Sequence, residues 1–285
     1  MDHIGEFFPD SPIWFRWLGR LAAPLFFYAL AVGFQHTRNR KKYLLRLYLA
    51  NVGMVFFNQI MCMLQRKLDY VAYQPKNHNI FTTLFCAGVL ICIWENRKEK
   101  KKFFTYIGIY IFWQAMLIKL AILVETYDYL WYGNARLETV LRTDYIFPLL
   151  GGIWDVEGGV FFIALGVCLY CAVEDRWKLT LYYILFCGTY LLMCEGDILY
   201  RIMNRFSFWG YHKLADIIYV GSWSTGIPLG TSDLSLLTEF YQWMMIGALP
   251  IMLSCNGKRG KSLKWLFYAA YPLQFLVLYG ISYYK

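Results

Sequence analysis

Eight stretches of this chain are each apolar for close to the length of helix that crosses the hydrocarbon core of a bilayer, about 20 residues. They run Leu18–Gln35, Tyr43–Leu64, Asn79–Trp94, Phe103–Val124, Gly158–Val173, Leu179–Leu199, Leu236–Ser254 and Leu263–Tyr283. The expected fold is therefore all-α: a polytopic membrane helix bundle of about eight transmembrane helices, one integral membrane domain over residues 1–285. Composition agrees, with 59% of residues apolar and 16% charged, against roughly 45–50% and a quarter in soluble domains. The first stretch does not read as a cleavable signal, since Arg20 lies near its start and no small-residue cleavage site follows. Trp14, Trp17, Tyr43, Trp94, Trp177, Tyr283 and Tyr284 crowd the span ends, as interfacial anchors do.

The formal charge is +9, and a strongly basic chain points either to nucleic acid or to a membrane surface. Placement decides between them. Arg38, Arg40, Lys41 and Lys42 share one short loop; Arg97, Lys98, Lys100, Lys101 and Lys102 share the next alternate one. Arg176 and Lys178, then Lys258, Arg259 and Lys261, fill the other two short loops. The intervening segments are long and sparsely basic, so the positive-inside rule puts the short loops in the cytoplasm and the long ones outside. No folded domain offers the basic face that nucleic acid would need, so no nucleic-acid partner is expected. The bilayer is.

Charged residues within apolar spans cost at least ~2.5–3.5 kcal/mol each at mid-membrane and ask for an explanation. Arg46 and Lys119 lie close enough to span ends to snorkel, and Arg20 either snorkels or faces a polar cavity. Glu195 and Asp197 fall near the outer end of the sixth span. Residues 145–157 are apolar but broken by Pro148 and by glycine pairs, which suits a re-entrant segment lining a cavity better than one continuous helix. Asp155 and Glu157 would face that cavity; the competing reading is an interfacial loop packed on the bundle. The eight cysteines lie almost wholly within spans and read as packing residues. No metal-ligand spacing occurs. His3 follows Asp2, a pairing able to orient an imidazole, the usual general base.

Several strings carry more than composition: Asp-His-Ile-Gly at 2–5, Gly-Arg-Leu-Ala-Ala-Pro-Leu-Phe-Phe at 19–27, and the basic string at 33–47. Asn-Ile-Phe-Thr-Thr-Leu at 79–84, Asn-Gly-Lys-Arg-Gly at 256–260 and Phe-Tyr-Ala-Ala-Tyr-Pro-Leu at 267–273 follow in order. Together they resemble the TraX family of bacterial inner-membrane proteins, whose namesake acetylates the N-terminus of a conjugative pilin subunit. That family is in turn similar to the membrane-bound acyltransferases that modify surface polysaccharides.

The resemblance implies a bacterial inner-membrane enzyme that moves an acetyl group from cytoplasmic acetyl-CoA, or another acyl-CoA, to an extracytoplasmic acceptor, a pilin-like peptide or a glycan. It makes His3 the catalytic base with Asp2 beside it, and Arg20 with Pro24 the family's Arg-x-x-x-Pro. It assigns His36, Arg38, Arg40, Lys41, Lys42 and Arg46, with Asn256, Lys258 and Arg259, to the phosphates of the acyl donor. Asn79 and Thr82 match its Asn-x-x-Thr and join Asp155 and Glu157 as further polar-cavity residues. Two departures stand out. The family usually carries a hydrophobic helix before Asp-His-Ile-Gly, so a further helix is expected upstream of Met1. Gln274 also stands where the family commonly has His. The competing functions are a membrane transporter and a non-catalytic component of an envelope or conjugation complex.

Overall fold

A computed structural model describes residues 2–8, 10–68, 79–132, 145–154, 156–195, 205, 235, 237–239, 241–255 and 264–284. Among these residues regular structure is helical throughout, with no strand. Two short helices, α1 (Asp2–Phe7) and α2 (Trp14–Gly19), precede α3 (Ala22–His36), α4 (Arg40–Lys67), α5 (Ile80–Glu95) and α6 (Lys100–Tyr132). Then come α7 (Phe147–Leu150), α8 (Gly159–Ala172), α9 (Arg176–Glu195), a 3-10 turn (Gln242–Gly247) running into α10 (Ala248–Ser254), and α11 (Lys264–Tyr284).

Five stretches are long and apolar enough to cross a membrane: Trp14–His36, Arg40–Gln65, Ile80–Lys98, Lys100–Val124 and Leu266–Tyr283. The protein is an all-α polytopic bundle. Of the eight spans expected from sequence, the fifth and seventh are shorter apolar helices, Gly159–Ala172 and Gln242–Ser254. The fifth is short because Gly158, at φ 75°, turns the chain into α8 only after the irregular segment has ended. The sixth is carried by α9 as far as Glu195, and the residues after it lie outside the description.

The centre is the three-way packing of α3, α5 and α8. Phe27, Ala31 and Phe34 of α3, Ala87 and Ile91 of α5, and Ile163 and Leu165 of α8 are all fully buried. Small residues allow the approach: a β-carbon on Gly166 would lie 2.9 Å from both Ala87 Cβ and the Phe27 ring. Around this core, Leu49, Phe56 and Ile60 of α4 and Ile109, Ile111, Phe112 and Leu123 of α6 are exposed. A rim of that kind suits lipid, not water.

Proline punctuates two of the long helices. Pro24 lacks an N–H and its ring displaces the carbonyl four residues back, which is that of Arg20. The chain breaks between α2 and α3 at Arg20 and Leu21. Pro272 lies inside α11 without ending it and leaves the Tyr268 carbonyl without an N–H four residues on.

Past the single turn of α7 the described backbone is irregular as far as Gly158; this stretch and the end of α7 are held beside the middles of α4 and α6, and their polar groups are met one after another. Asn51 Nδ2 donates to the Pro148 carbonyl (2.6 Å), the Tyr48 hydroxyl to Leu149 (2.9 Å), and the Trp113 indole to Leu150 (3.0 Å). Gln114 Nε2 donates to Gly151 (3.0 Å) while its Oε1 accepts from the Ile153 N–H (3.0 Å). The Cys86 thiol sits 3.6 Å from the Gly152 carbonyl, and Thr83 Oγ1 donates to that of Glu157 (2.9 Å). Gly151, at φ 69°, closes α7 in the left-handed region, and the Gly152 N–H returns to the Phe147 carbonyl (2.7 Å).

Asn51 anchors a second layer. Its Oδ1 accepts from Asn79 Nδ2 (3.0 Å) and Thr82 Oγ1 (2.7 Å), and Asn79 Oδ1 caps α5 by accepting from the Thr82 N–H (3.1 Å). An Asn51→Leu substitution orphans three buried polar groups, each worth about 1–3 kcal/mol. Its unfolding midpoint in detergent is expected to fall well below that of Thr82→Val, which orphans none of the backbone; scanning fluorimetry reads the difference.

Candidate functional site

Arg20 owes its position to Pro24. In the broken turn its Nη1 donates to Gln242 Oε1 at 2.7 Å, and its guanidinium lies 5.2 Å from the centre of the Tyr241 ring. The 3-10 turn at Gln242 is held in place from α9, whose buried Tyr183 hydroxyl donates to the Met245 carbonyl (2.5 Å).

His3 sits on α1, which is pinned from two sides. Phe7 packs on Phe275 and Tyr279 of α11, and Arg16 Nη2 of α2 donates to the Gly5 carbonyl (2.7 Å). The His3 ring lies 4.4 Å from Phe275 and meets Tyr271 edge-on at 6.0 Å. Tyr271 then connects to a carboxylate: its hydroxyl donates to Glu157 Oε2 at 3.0 Å, and the hydroxyl oxygen accepts from the Ile80 N–H at the start of α5 at 3.5 Å.

These residues line one cavity of about 140 Å³, with His3, Arg20, Glu157, Gln242, Tyr271 and Gln274 in its wall. Its electrostatics follow from helix direction. Ala22, Ile80 and Gly158, also in the wall, stand at the N-terminal ends of α3, α5 and α8. Those ends carry partial positive charge, and the Arg20 guanidinium adds a full one. Among the described residues in the wall, Glu157 is the one carboxylate facing them. An apolar-walled cavity with a base, a cation and a carboxylate converging suits a reaction that moves a proton and develops negative charge.

The remaining candidates divide. Asn79 and Thr82 are buried in the Asn51 network behind the cavity, where they cap α5. The Asp2 side chain, Asp155, Asn256, Lys258 and Arg259 lie outside the described residues. His36, Arg38, Arg40, Lys41, Lys42 and Arg46 gather at the far end of α3, fourteen residues or about 21 Å of helix from the cavity. Arg38, Lys41 and Lys42 are exposed there, and His36 Nδ1 lies 2.9 Å from the Val32 carbonyl. Arg40 is committed elsewhere: it forks onto Glu95 at 2.7 and 3.3 Å, donates to the Thr37 carbonyl, and shares Glu95 with the Tyr170 hydroxyl (2.6 Å). Arg46 stacks its guanidinium over Tyr43 at 5.4 Å.

Tyr271, Gln242 and the wall position of Gln274 were not legible as a group. Pro272, an internal helix proline, marks the turn holding Tyr271, whereas nothing in the local sequence marks Gln242. Tyr271→Phe keeps the ring packing on Phe81 and Phe275 and removes the hydroxyl that joins Glu157 to α5. The expected cost is about 1–3 kcal/mol in detergent stability, read by scanning fluorimetry.

The family model described as TraX protein matches residues 1–144, half of the chain, from α1 through α6. No curated protein and no solved structure matches. The matched half contains His3, Arg20, Pro24, the basic group from His36 to Arg46, and the Asn79–Thr82 cap. The chain belongs to the TraX family.

Proposed function

We propose that this protein is a membrane-bound acyltransferase that moves a short acyl group, acetyl in the first instance, from acyl-CoA to an acceptor amine or hydroxyl on the other side of the membrane. Membership of the TraX family supports a conjugation-associated, pilin-acetylation type of function in general. The observation that carries the finer reading is the meeting of His3, Arg20 and Glu157, far apart in sequence, in one cavity where three helices begin.

In this reading His3 removes the acceptor proton as the acceptor attacks the thioester carbonyl. Arg20 and the N-terminal ends of α3, α5 and α8 stabilise the negative charge that develops on the carbonyl oxygen. The carbon–sulfur bond then breaks, and the imidazolium returns its proton to the departing thiolate. Glu157, fixed by Tyr271, offsets the positive charge that His3 carries between the two transfers. By the positive-inside rule the basic end of the bundle lies in the cytoplasm, where the exposed Arg38, Lys41 and Lys42 attract the phosphates of the donor. Asn256, Lys258 and Arg259 extend that assignment in sequence. The acceptor arrives from the cavity end, as a peptide N-terminus or a glycan hydroxyl.

Purified protein in lipid nanodiscs, given radiolabelled acetyl-CoA and candidate pilin peptides or glycans, tests the reading. His3→Ala is expected to lower transfer by about 10²–10⁴, and Arg20→Gln by about 10²–10³ with little change in acceptor KM. Undiminished transfer by His3→Ala would overturn the assignment of the base.

A further inference from the structure

α1 is only six residues long, and its last carbonyls must find donors elsewhere. The Gly5 carbonyl is the critical one. Its partner in a continuing helix would be residue 9, which is a proline and has no N–H. The N–H one place nearer, that of Phe8, bonds to the Ile4 carbonyl instead (2.9 Å). Gly5 is buried, where an unmet carbonyl is costly. Arg16 of α2 meets it, Nη2 to oxygen 2.7 Å, in a bond strengthened by the full positive charge.

Position 5 makes room for that arginine. The Arg16 stem lies across α1 so closely that a β-carbon on Gly5 would come within 2.7 Å of Nε and 2.9 Å of Cδ and Cγ. Glycine is a poor choice inside a helix, and the backbone of Gly5, outside the left-handed region, does not call for it. The arginine does. α2 carries a second arginine one turn on: the Arg20 N–H bonds to the Arg16 carbonyl (3.2 Å), so one stretch of backbone holds both. Between them the Trp17 indole donates to the Leu237 carbonyl at 2.8 Å, and Arg20 itself donates to Gln242. α2 is thereby tied to the residues ahead of α10, and α1 is tied to α2. The ring contacts of Phe7 with α11 tolerate small slides of α1; a short directional hydrogen bond does not.

We propose that Arg16 is a positioning residue for the His3 base, acting through the Gly5 carbonyl; the inference rests on the acyl-transfer reading above. His3 stands two residues before Gly5 in the same short helix. α2 then works as a jig. Arg16 sets the base, Arg20 is the cation that faces the developing oxyanion, and a single turn of helix fixes the distance between them. The glycine of Asp-His-Ile-Gly is the seat of an arginine eleven residues away.

In lipid nanodiscs, acyl turnover and the rate at which diethyl pyrocarbonate modifies His3, followed by peptide mass, are measured for wild type, Arg16→Met, Arg16→Lys and Gly5→Ala. Arg16→Met keeps the stem and loses the donor. Its kcat is expected to fall roughly tenfold to a hundredfold with acceptor KM little changed, and His3 to become severalfold more reactive as α1 shifts. Arg16→Lys keeps a cationic donor and recovers most of both. Gly5→Ala improves the helix yet displaces the arginine, so it acts like Arg16→Met and adds nothing to it in the double variant. If Arg16 served stability alone, Gly5→Ala would keep full turnover. Unchanged His3 reactivity in Arg16→Met, no recovery in Arg16→Lys, or undiminished kcat in Arg16→Met or Gly5→Ala overturns the inference. His3 reactivity that rises in Arg16→Met, when the wild type turns over no acyl donor, keeps the anchoring of α1 and overturns the acyl-transfer reading instead.

Discussion

Backbone carbonyls in a membrane interior must find donors inside the protein, because neither lipid nor bulk water supplies them. The end of α7 and the described residues that follow it to Gly158 leave main-chain groups outside helical bonding beside the middles of α4 and α6, and the bundle answers with side chains. Tyr48, Asn51, Thr83, Cys86, Trp113 and Gln114, from three helices, each reach a main-chain group of the segment. The cavity depends on this arrangement. Without those bonds Glu157 has no fixed place, α8 has no defined start, and Tyr271 loses the carboxylate that ties α11 to the core.

A second constraint is directional. α3, α5 and α8 run the same way through the middle of the bundle, and all three begin at the cavity. Helices that start inside a membrane leave N–H groups and positive dipole ends where they have few partners. Asn79 covers part of this need at α5, and the Tyr271 hydroxyl takes the Ile80 N–H. Pro24 gives α3 its start by breaking the helix at Arg20, so the four-residue spacing of Arg and Pro is a geometric statement: the proline opens the turn that the arginine occupies.

Much of this was readable in the sequence. The spans were visible because about 20 apolar residues have few other uses, and the irregularity of 145–157 because Pro148 and the glycine pairs preclude a continuous helix. His3, Arg20 and Glu157 were legible one at a time as costly or reactive groups in an apolar chain. Their convergence was not, because it depends on how α1, α3, α8 and α11 pack, and packing among uniformly apolar helices leaves no periodic trace. Gln242 was invisible for the same reason. Asn79 and Thr82 looked like cavity residues since buried polar groups attract that reading, but their partners are Asn51 and the start of α5. The seventh span was overdrawn at its start, Leu236 against Gln242, because hydropathy does not register where a helix begins.

The adjacent side chains of Trp113 and Gln114 have one more effect. α6 is apolar around most of its circumference and stands at the rim of the bundle, with Ile109, Ile111, Phe112 and Leu123 all exposed. A helix of that kind, bathed in hydrocarbon, gains nothing by presenting one apolar side to its neighbours in preference to another. Its apolar contacts, Leu117 and Ala121 against Phe147, fix its rotation only loosely. Hydrogen bonds from two consecutive residues to Leu150, Gly151 and Ile153 act as a key in a slot, setting the angle of a rod 33 residues long.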